Sequence, residues 1–253
     1  SAGGLAVGVL GALKAAGGLW FGWNGEISEE QKPLKKVTRG NITWASFALN
    51  EKDYDEYYSQ FSNAVLWPAF HYRLDLVKFQ RESFEGYTRV NSLLADKLLP
   101  LIEEDDILWI HDYHLLPFAR ELRKRGVNNR IGFFLHIPFP TPEIFTALPP
   151  HEELLDALCD YDLLGFRTEN DRLAFLDSVS GKTRVVTKGG KTHTAWGKTF
   201  HTEVYPIGIE PEEIAEQASG PLPPKLAQLK NELKHVKNIF SVERLDYSKG
   251  LPE

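Results

Sequence analysis

Residues 107–141, ILWIHDYHLLPFARELRKRGVNNRIGFFLHIPFPT, restrict the folds open to this chain more than any other stretch. Two apolar runs, 107–110 and 131–137, are too short for helices and rich in branched and aromatic residues, which predicts strands. Between them Leu115, Leu116, Ala119 and Leu122 recur at helical spacing. Pro117 suits a first turn, Gly126 a stop, and Arg120, Arg123, Lys124 and Arg125 are expected to face water. Strand, helix and strand together make a right-handed βαβ crossover in a parallel sheet. Each strand runs into polar residues, His111-Asp112-Tyr113-His114 after the first and His136 near the end of the second. The carboxyl ends of parallel strands are where such sheets bind ligands.

The remainder of the chain extends this grammar. Helices are expected over 84–101, 152–159 and 169–178, and strands over 162–166, 184–187 and 199–207. Earlier, residues 4–16 have a helical pattern, 19–25 and 42–49 read as strands around a charged loop at 26–40, and 51–61 as a helix. Trp67 stands in a loop-like sequence before Pro68. The fold class is α/β, with a Rossmann-like, doubly wound parallel sheet. No strand precedes the opening glycines, although such a sheet normally begins with one. Gly220-Pro221-Leu222-Pro223-Pro224 marks a break, a helix follows, and a buried strand is expected from Asn238. The expected domains are therefore 1–235 and the beginning of a second at 236–253, with the chain cut at both ends.

Length and charge narrow the function classes. With 253 residues a sizeable core is available. A net charge of −6 argues against a general nucleic-acid surface, so an anionic ligand needs a local cationic cluster. Segment 5–23 is apolar apart from Lys14, but a central lysine costs about 2.5–3.5 kcal/mol on insertion and no basic region precedes it, so no membrane span or signal peptide is expected. The single cysteine, Cys159, cannot form an internal disulfide and suits core packing.

Three clusters carry candidate chemistry. Gly3 and Gly4 at a helix entrance expose backbone N–H groups that can receive a phosphate, although tight packing explains such glycines equally well. Arg244 and Lys249 flank a short loop ending in Gly250 and can converge on a diphosphate, or simply sit in solvent. Asp112 and His136 lie at adjacent strand ends and suit sugar hydroxyls. His111, Asp112 and His114 also resemble a metal-ligand set, but no second cluster of acids and histidines supports a hydrolytic two-metal site, and no metal is expected. Tyr58 and Trp67 can offer flat apolar surface to a sugar, or simply pack the core or a loop.

SAGGLAVG, NAVLWPAFHYR, WIHDYHLLPFA, FFLHIPFPTPEIF and SVERLDYSKGLPE together resemble the trehalose-6-phosphate synthase family of UDP-glucose-dependent retaining glycosyltransferases, closely in its enterobacterial form. The resemblance spans all 253 residues. It implies a GT-B architecture, with an acceptor-side N-terminal domain at 1–235 and the start of a donor-side domain at 236–253. The implied reaction moves glucose from UDP-glucose to glucose 6-phosphate with retention, giving α,α-trehalose 6-phosphate and UDP. It implies donor contacts from Gly3, Gly4, His136, Arg244 and Lys249, and acceptor contacts from Tyr58, Trp67, Asp112 and Trp23. Asp112, His136, Arg244 and Lys249 are the implied catalytic set, with no cofactor, UDP-glucose serving as co-substrate. A cytoplasmic homotetramer working in trehalose biosynthesis and osmotic stress response completes the expectation. The family's first-strand arginine and the second domain's arginine and acidic segment have no counterpart here, so a sugar-phosphate- and nucleotide-binding fragment without catalysis of its own stands as the alternative.

Overall fold

The computed structural model describes residues 4–30, 33–208, 211–239, 242 and 246–250. The chain divides into two compact units, Ser1–Pro206 and Ile207–Glu253. The first begins with α1 (Gly4–Ala16), β1 (Gly18–Ile27), β2 (Lys35–Arg39) and β3 (Ile42–Leu49). β1 and β3 pair in parallel and β2 adds to β3 antiparallel, giving a three-stranded sheet of order β1-β3-β2. β2 lies inside the stretch expected to be a charged loop. All five of its residues are exposed, so ladder hydrogen bonds hold it and no apolar alternation announces it.

A continuous helical segment follows: α2 (Glu51–Asp53), a π-helix at Tyr54–Leu66, and α3 (Trp67–Phe70). Trp67 is thus helical, not in a loop, with Pro68 supplying the fixed backbone angle of a first turn. Next come α4 (Arg81–Leu98), β4 (Ile107–His111), α5 (Phe118–Lys124) and β5 (Arg130–Phe134), then α6 (Pro142–Phe145), α7 (His151–Leu158), β6 (Leu163–Phe166) and α8 (Glu169–Ser180). β7 (Val186–Lys188), β8 (Thr192–Ala195) and β9 (Lys198–Val204) complete a six-stranded sheet of order β4-β5-β6-β9-β8-β7. Its first four strands are parallel, as expected of β4 and β5, and β8 and β7 add antiparallel at the far edge.

The core is aliphatic and aromatic: Leu116, Ala119 and Leu122 of the α5 region are buried with Ile131 and Phe133 of β5, Leu164 of β6, and Phe139, Phe145 and Phe175. The basic face of α5 does not simply face water. Arg120 reaches Asp156 and Asp160, which also hold Lys198, and Arg125 reaches Asp96 and Glu121; both arginine side chains are only 18% exposed. These ion pairs dock α5 onto α7 on one side and α4 on the other.

The second unit contains α9 (Pro211–Ser219) and α10 (Pro224–Leu233), the latter being the helix expected after the proline-rich break, which separates the two. Asp246 caps a short 3-10 turn, Tyr247–Lys249, that ends on Gly250 in the left-handed region, φ 66°. The strand expected from Asn238 is not seen at Asn238, Ile239 or Val242, where Ile239 and Val242 are exposed without a pairing partner among the described residues; the rest of it lies outside them.

Candidate active site

The parallel register sets the carboxyl ends of β4, β5 and β6 side by side, His111 opposite Phe134 and Phe134 opposite Gly165. β5 and β6 are largely buried apolar runs, while β4 is the sheet's edge strand, with Ile107 and Trp109 exposed and Ile110 buried. The first polar residue beyond each emerges at the same edge. Those residues are His111 and Asp112, His136, and Arg167.

Asp112 has φ 73° and ψ 169°, a strained region populated essentially by glycine, and it persists because the surroundings hold it. Its own N–H donates to Phe134 O at 2.9 Å. Its Oδ1 accepts from the backbone N–H of Tyr113 at 3.1 Å and of His136 at 3.3 Å. One carboxylate oxygen is therefore committed to aligning the two strand ends. Burial pushes the Asp112 carboxyl up to about 6, opposed by those two N–H groups and by the positive charge of Arg167.

His136 is bounded on several sides. Its Nε2 lies 3.0 Å from His111 Nδ1, its carbonyl accepts from Arg167 Nη1 at 3.2 Å, and its ring meets the edge of Phe134. Burial, reinforced by Arg167, pulls His136 down to about 4, and burial with the neighbouring His136 does the same to His111. At neutral pH both rings are uncharged.

Beside the acid lies an aromatic chain. The π-helix places Tyr58 and Asn63 five residues apart, the repeat of its own hydrogen bonding, and both meet the turn after Asp112. Tyr58 stacks on His114 with ring centroids 5.4 Å apart and planes 11° from parallel, and Asn63 Oδ1 accepts from Tyr113 Oη at 2.9 Å. Trp23 lies 5.3 Å from Tyr58, and Trp67 5.7 Å from Tyr113. Tyr87 locks the turn from beneath, donating to Tyr113 O at 2.6 Å and accepting from Leu116 N–H at 3.1 Å. Trp23 spends its indole N–H on Glu26 O, so it can give a ligand only ring surface. His114 is half-buried with its Nε2 sealed from solvent, and desolvation draws it down to about 4.

Trp23, Tyr58, Trp67, Asp112 and His136 are thus brought into one continuous region. Gly4 opens α1, and Lys249 closes the turn in the second unit. Gly3 and Arg244 lie outside the described residues. Sequence reasoning missed Arg167, the pairing of His111 with His136, and the stacking role of His114. The first was detectable, since Arg167 directly follows the apolar run 163–166. Among the described residues no three histidine, cysteine or acidic side chains gather in a way that could hold a metal, and the His111-Asp112-His114 set does not form one. An acid poised near 6, uncharged imidazoles, one guanidinium and a wall of ring faces suit a polyol carrying an anionic group.

Known proteins are similar to this chain in sequence and fold. The model of glycosyltransferase family 20 matches residues 1–253. The trehalose-6-phosphate synthase of Enterobacter sp. (strain 638) is 86% identical over 253 residues, covering 100% of this chain and 53% of the relative. That of Citrobacter koseri is 82% identical over 252 residues. The chain spans about half the length of the curated relatives it matches. Among solved structures, the E. coli enzyme bound with UDP-2-fluoro glucose is 80% identical with a TM-score of 0.95, over 98% of this chain and 55% of that one. An α,α-trehalose-phosphate synthase (UDP-forming) from Burkholderia xenovorans in complex with glucose-6-phosphate is 53% identical with a TM-score of 0.94, over 99% and 56%. The α/β fold is that of the GT-B enzymes solved for this family, and the chain belongs to glycosyltransferase family 20.

Proposed function

We propose that the protein transfers glucose from UDP-glucose to glucose 6-phosphate with retention of configuration, forming α,α-trehalose 6-phosphate and UDP. The observation that carries this reading is the joining of Asp112 and His136 by a direct hydrogen bond, with the Tyr58, His114, Tyr113 and Trp67 rings alongside. It agrees with relatives of over 80% identity named trehalose-6-phosphate synthase, and with related structures holding a UDP-glucose analogue and glucose-6-phosphate.

In this reading the unit containing Asp112 is the acceptor side and residues 236–253 open the donor side. Tyr58, Trp67 and the ring of Trp23 line the acceptor sugar, Asp112 orients its attacking hydroxyl, and His136 hydrogen-bonds the donor glucose. Gly3 and Gly4 approach the donor, and Arg244 and Lys249 hold its diphosphate. As the glucosyl–oxygen bond lengthens, negative charge grows on the departing phosphate, where those two cations gain most. The leaving oxygen then takes the acceptor proton on the same face, and no protein nucleophile is needed. No metal or other cofactor enters this scheme. A cytoplasmic homotetramer acting in osmotic stress response is part of the same proposal, and light scattering on the purified protein tests the assembly.

The test is release of UDP that depends on glucose 6-phosphate, with the anomeric configuration of the product read by NMR and EDTA present in a parallel sample. It is run on this chain and on a full-length family 20 enzyme carrying it, beside calorimetry with each substrate. UDP release with an α,α product, unaffected by EDTA, is expected from the full-length enzyme. Binding of both ligands without turnover in either form assigns the binding-only alternative, and no binding in either refutes the proposal.

A further inference from the structure

A contact between two nitrogens is a hydrogen bond only if one carries a hydrogen and the other a free lone pair. His111 Nδ1 and His136 Nε2 are 3.0 Å apart, and both rings are uncharged at neutral pH, so each has one hydrogen to place. Two arrangements satisfy the contact. In one, His111 Nδ1–H donates, His111 Nε2 is bare, and His136 carries its hydrogen on Nδ1. In the other, His136 Nε2–H donates and His111 must carry its hydrogen on Nε2.

His111 Nε2 separates the two. It is sealed from solvent and has no hydrogen-bond partner. The Trp109 ring, 4.5 Å from the imidazole, brings only an N–H donor of its own. A buried N–H without an acceptor is the rarer and costlier defect, and a buried acceptor with an unused lone pair is better tolerated. The other groups around His136 act on its backbone or its charge. Asp112 Oδ1 takes its N–H, Arg167 takes its carbonyl, and neither occupies a ring nitrogen. His136 Nδ1 is not sealed as His111 Nε2 is.

We propose that His111 is a positioning residue that fixes the tautomer of His136, holding Nε2 as an acceptor and leaving Nδ1–H as the one hydrogen the ring can give to a ligand. The ligand atom matched to that nitrogen is then an oxygen with a free lone pair, a sugar hydroxyl or a phosphoryl oxygen, and not an N–H. This rests on the proposed function for the identity of the ligand, but the tautomer itself does not.

Long-range 15N–1H spectra of the histidine rings at pH 7.5 test it, on the wild-type chain, His111→Asn and His111→Leu. The asparagine amide puts an N–H where Nδ1–H stood, and leucine removes it. A single Nδ1–H form of His136 is expected in the wild type and His111→Asn, with the Nε2–H form rising severalfold in His111→Leu. UDP-glucose affinity is expected to fall about tenfold in His111→Leu, the loss of roughly one buried hydrogen bond, and to stay within about twofold in His111→Asn. A wild-type His136 protonated on Nε2, or an unchanged tautomer in His111→Leu, overturns the proposal. If His111→Leu does not fold, the wild-type and asparagine spectra still decide. If the wild type binds no UDP-glucose, the functional reading fails while the spectra judge the tautomer separately.

Discussion

Asp112 is held at a cost that a single atom exchange removes. Asparagine has the same shape, keeps Oδ1 for the Tyr113 and His136 N–H groups and carries the same strain at φ 73°, so the backbone and its cap survive Asp112→Asn. What disappears is the buried charge. Raising a carboxyl from 3.8 to about 6 penalises its ionised form by about 3 kcal/mol, at about 1.4 kcal/mol per pKa unit. Between those pH values the native state binds more protons at Asp112 than the unfolded chain does, so this group makes stability fall as pH rises from 4 to 6. The variant lacks that loss. Arg167 then has no opposing charge and the new amide N–H₂ needs a partner, which trims the gain to about 1–3 kcal/mol, or a rise in Tm of a few degrees at this length. Guanidinium denaturation of both forms at pH 8, 7, 6, 5 and 4 reads the gap directly. It is expected to be full at pH 7–8, to shrink below 6 and to vanish near 4, while transfer activity in the full-length enzyme is lost. A gap independent of pH, or a variant less stable at pH 7, refutes the reasoning.

Three further outcomes are expected. Tyr87→Phe removes the buried hydroxyl that bonds the Tyr113 carbonyl and the Leu116 N–H beneath the site and lowers stability by about 1–3 kcal/mol, measured by the same denaturation curves. Arg120→Met leaves Asp156 and Asp160 with Lys198 alone; because the cluster is half-buried, the loss is about 1–2 kcal/mol and shrinks in 1 M salt. Cys159 is buried, with its thiol pushed up to about 12 mainly by that burial, so iodoacetamide at pH 8 labels it only after denaturant is added, as mass spectrometry of the intact chain will read.

How far the sequence discloses this molecule depends on where each element gets its stability. β5 and β6 are visible because burial forces apolar runs, and β4, although an edge strand with Ile107 and Trp109 exposed, carries such a run too. β2, stabilised by its ladder with every side chain in solvent, and β8, whose buried His193 is satisfied by Thr187 and Thr202, carry no such mark. α5 shows the same divide: its apolar face is read correctly from spacing, while the docking of Arg120 and Arg125 depends on acids 29 to 40 residues away. At the site, the rule that ligands gather beyond parallel strands points to Asp112 and His136, aromatic character in the first quarter of the chain points to Tyr58 and Trp67, and resemblance adds Trp23. None of these exposes the His111–His136 bond or the strained positive-φ backbone at Asp112, which exist only once the strands are in register. Arg167 follows its strand just as those residues follow theirs. The same rule, applied to every strand of the sheet and not only to the most apolar pair, brings it into the site before any coordinates are consulted.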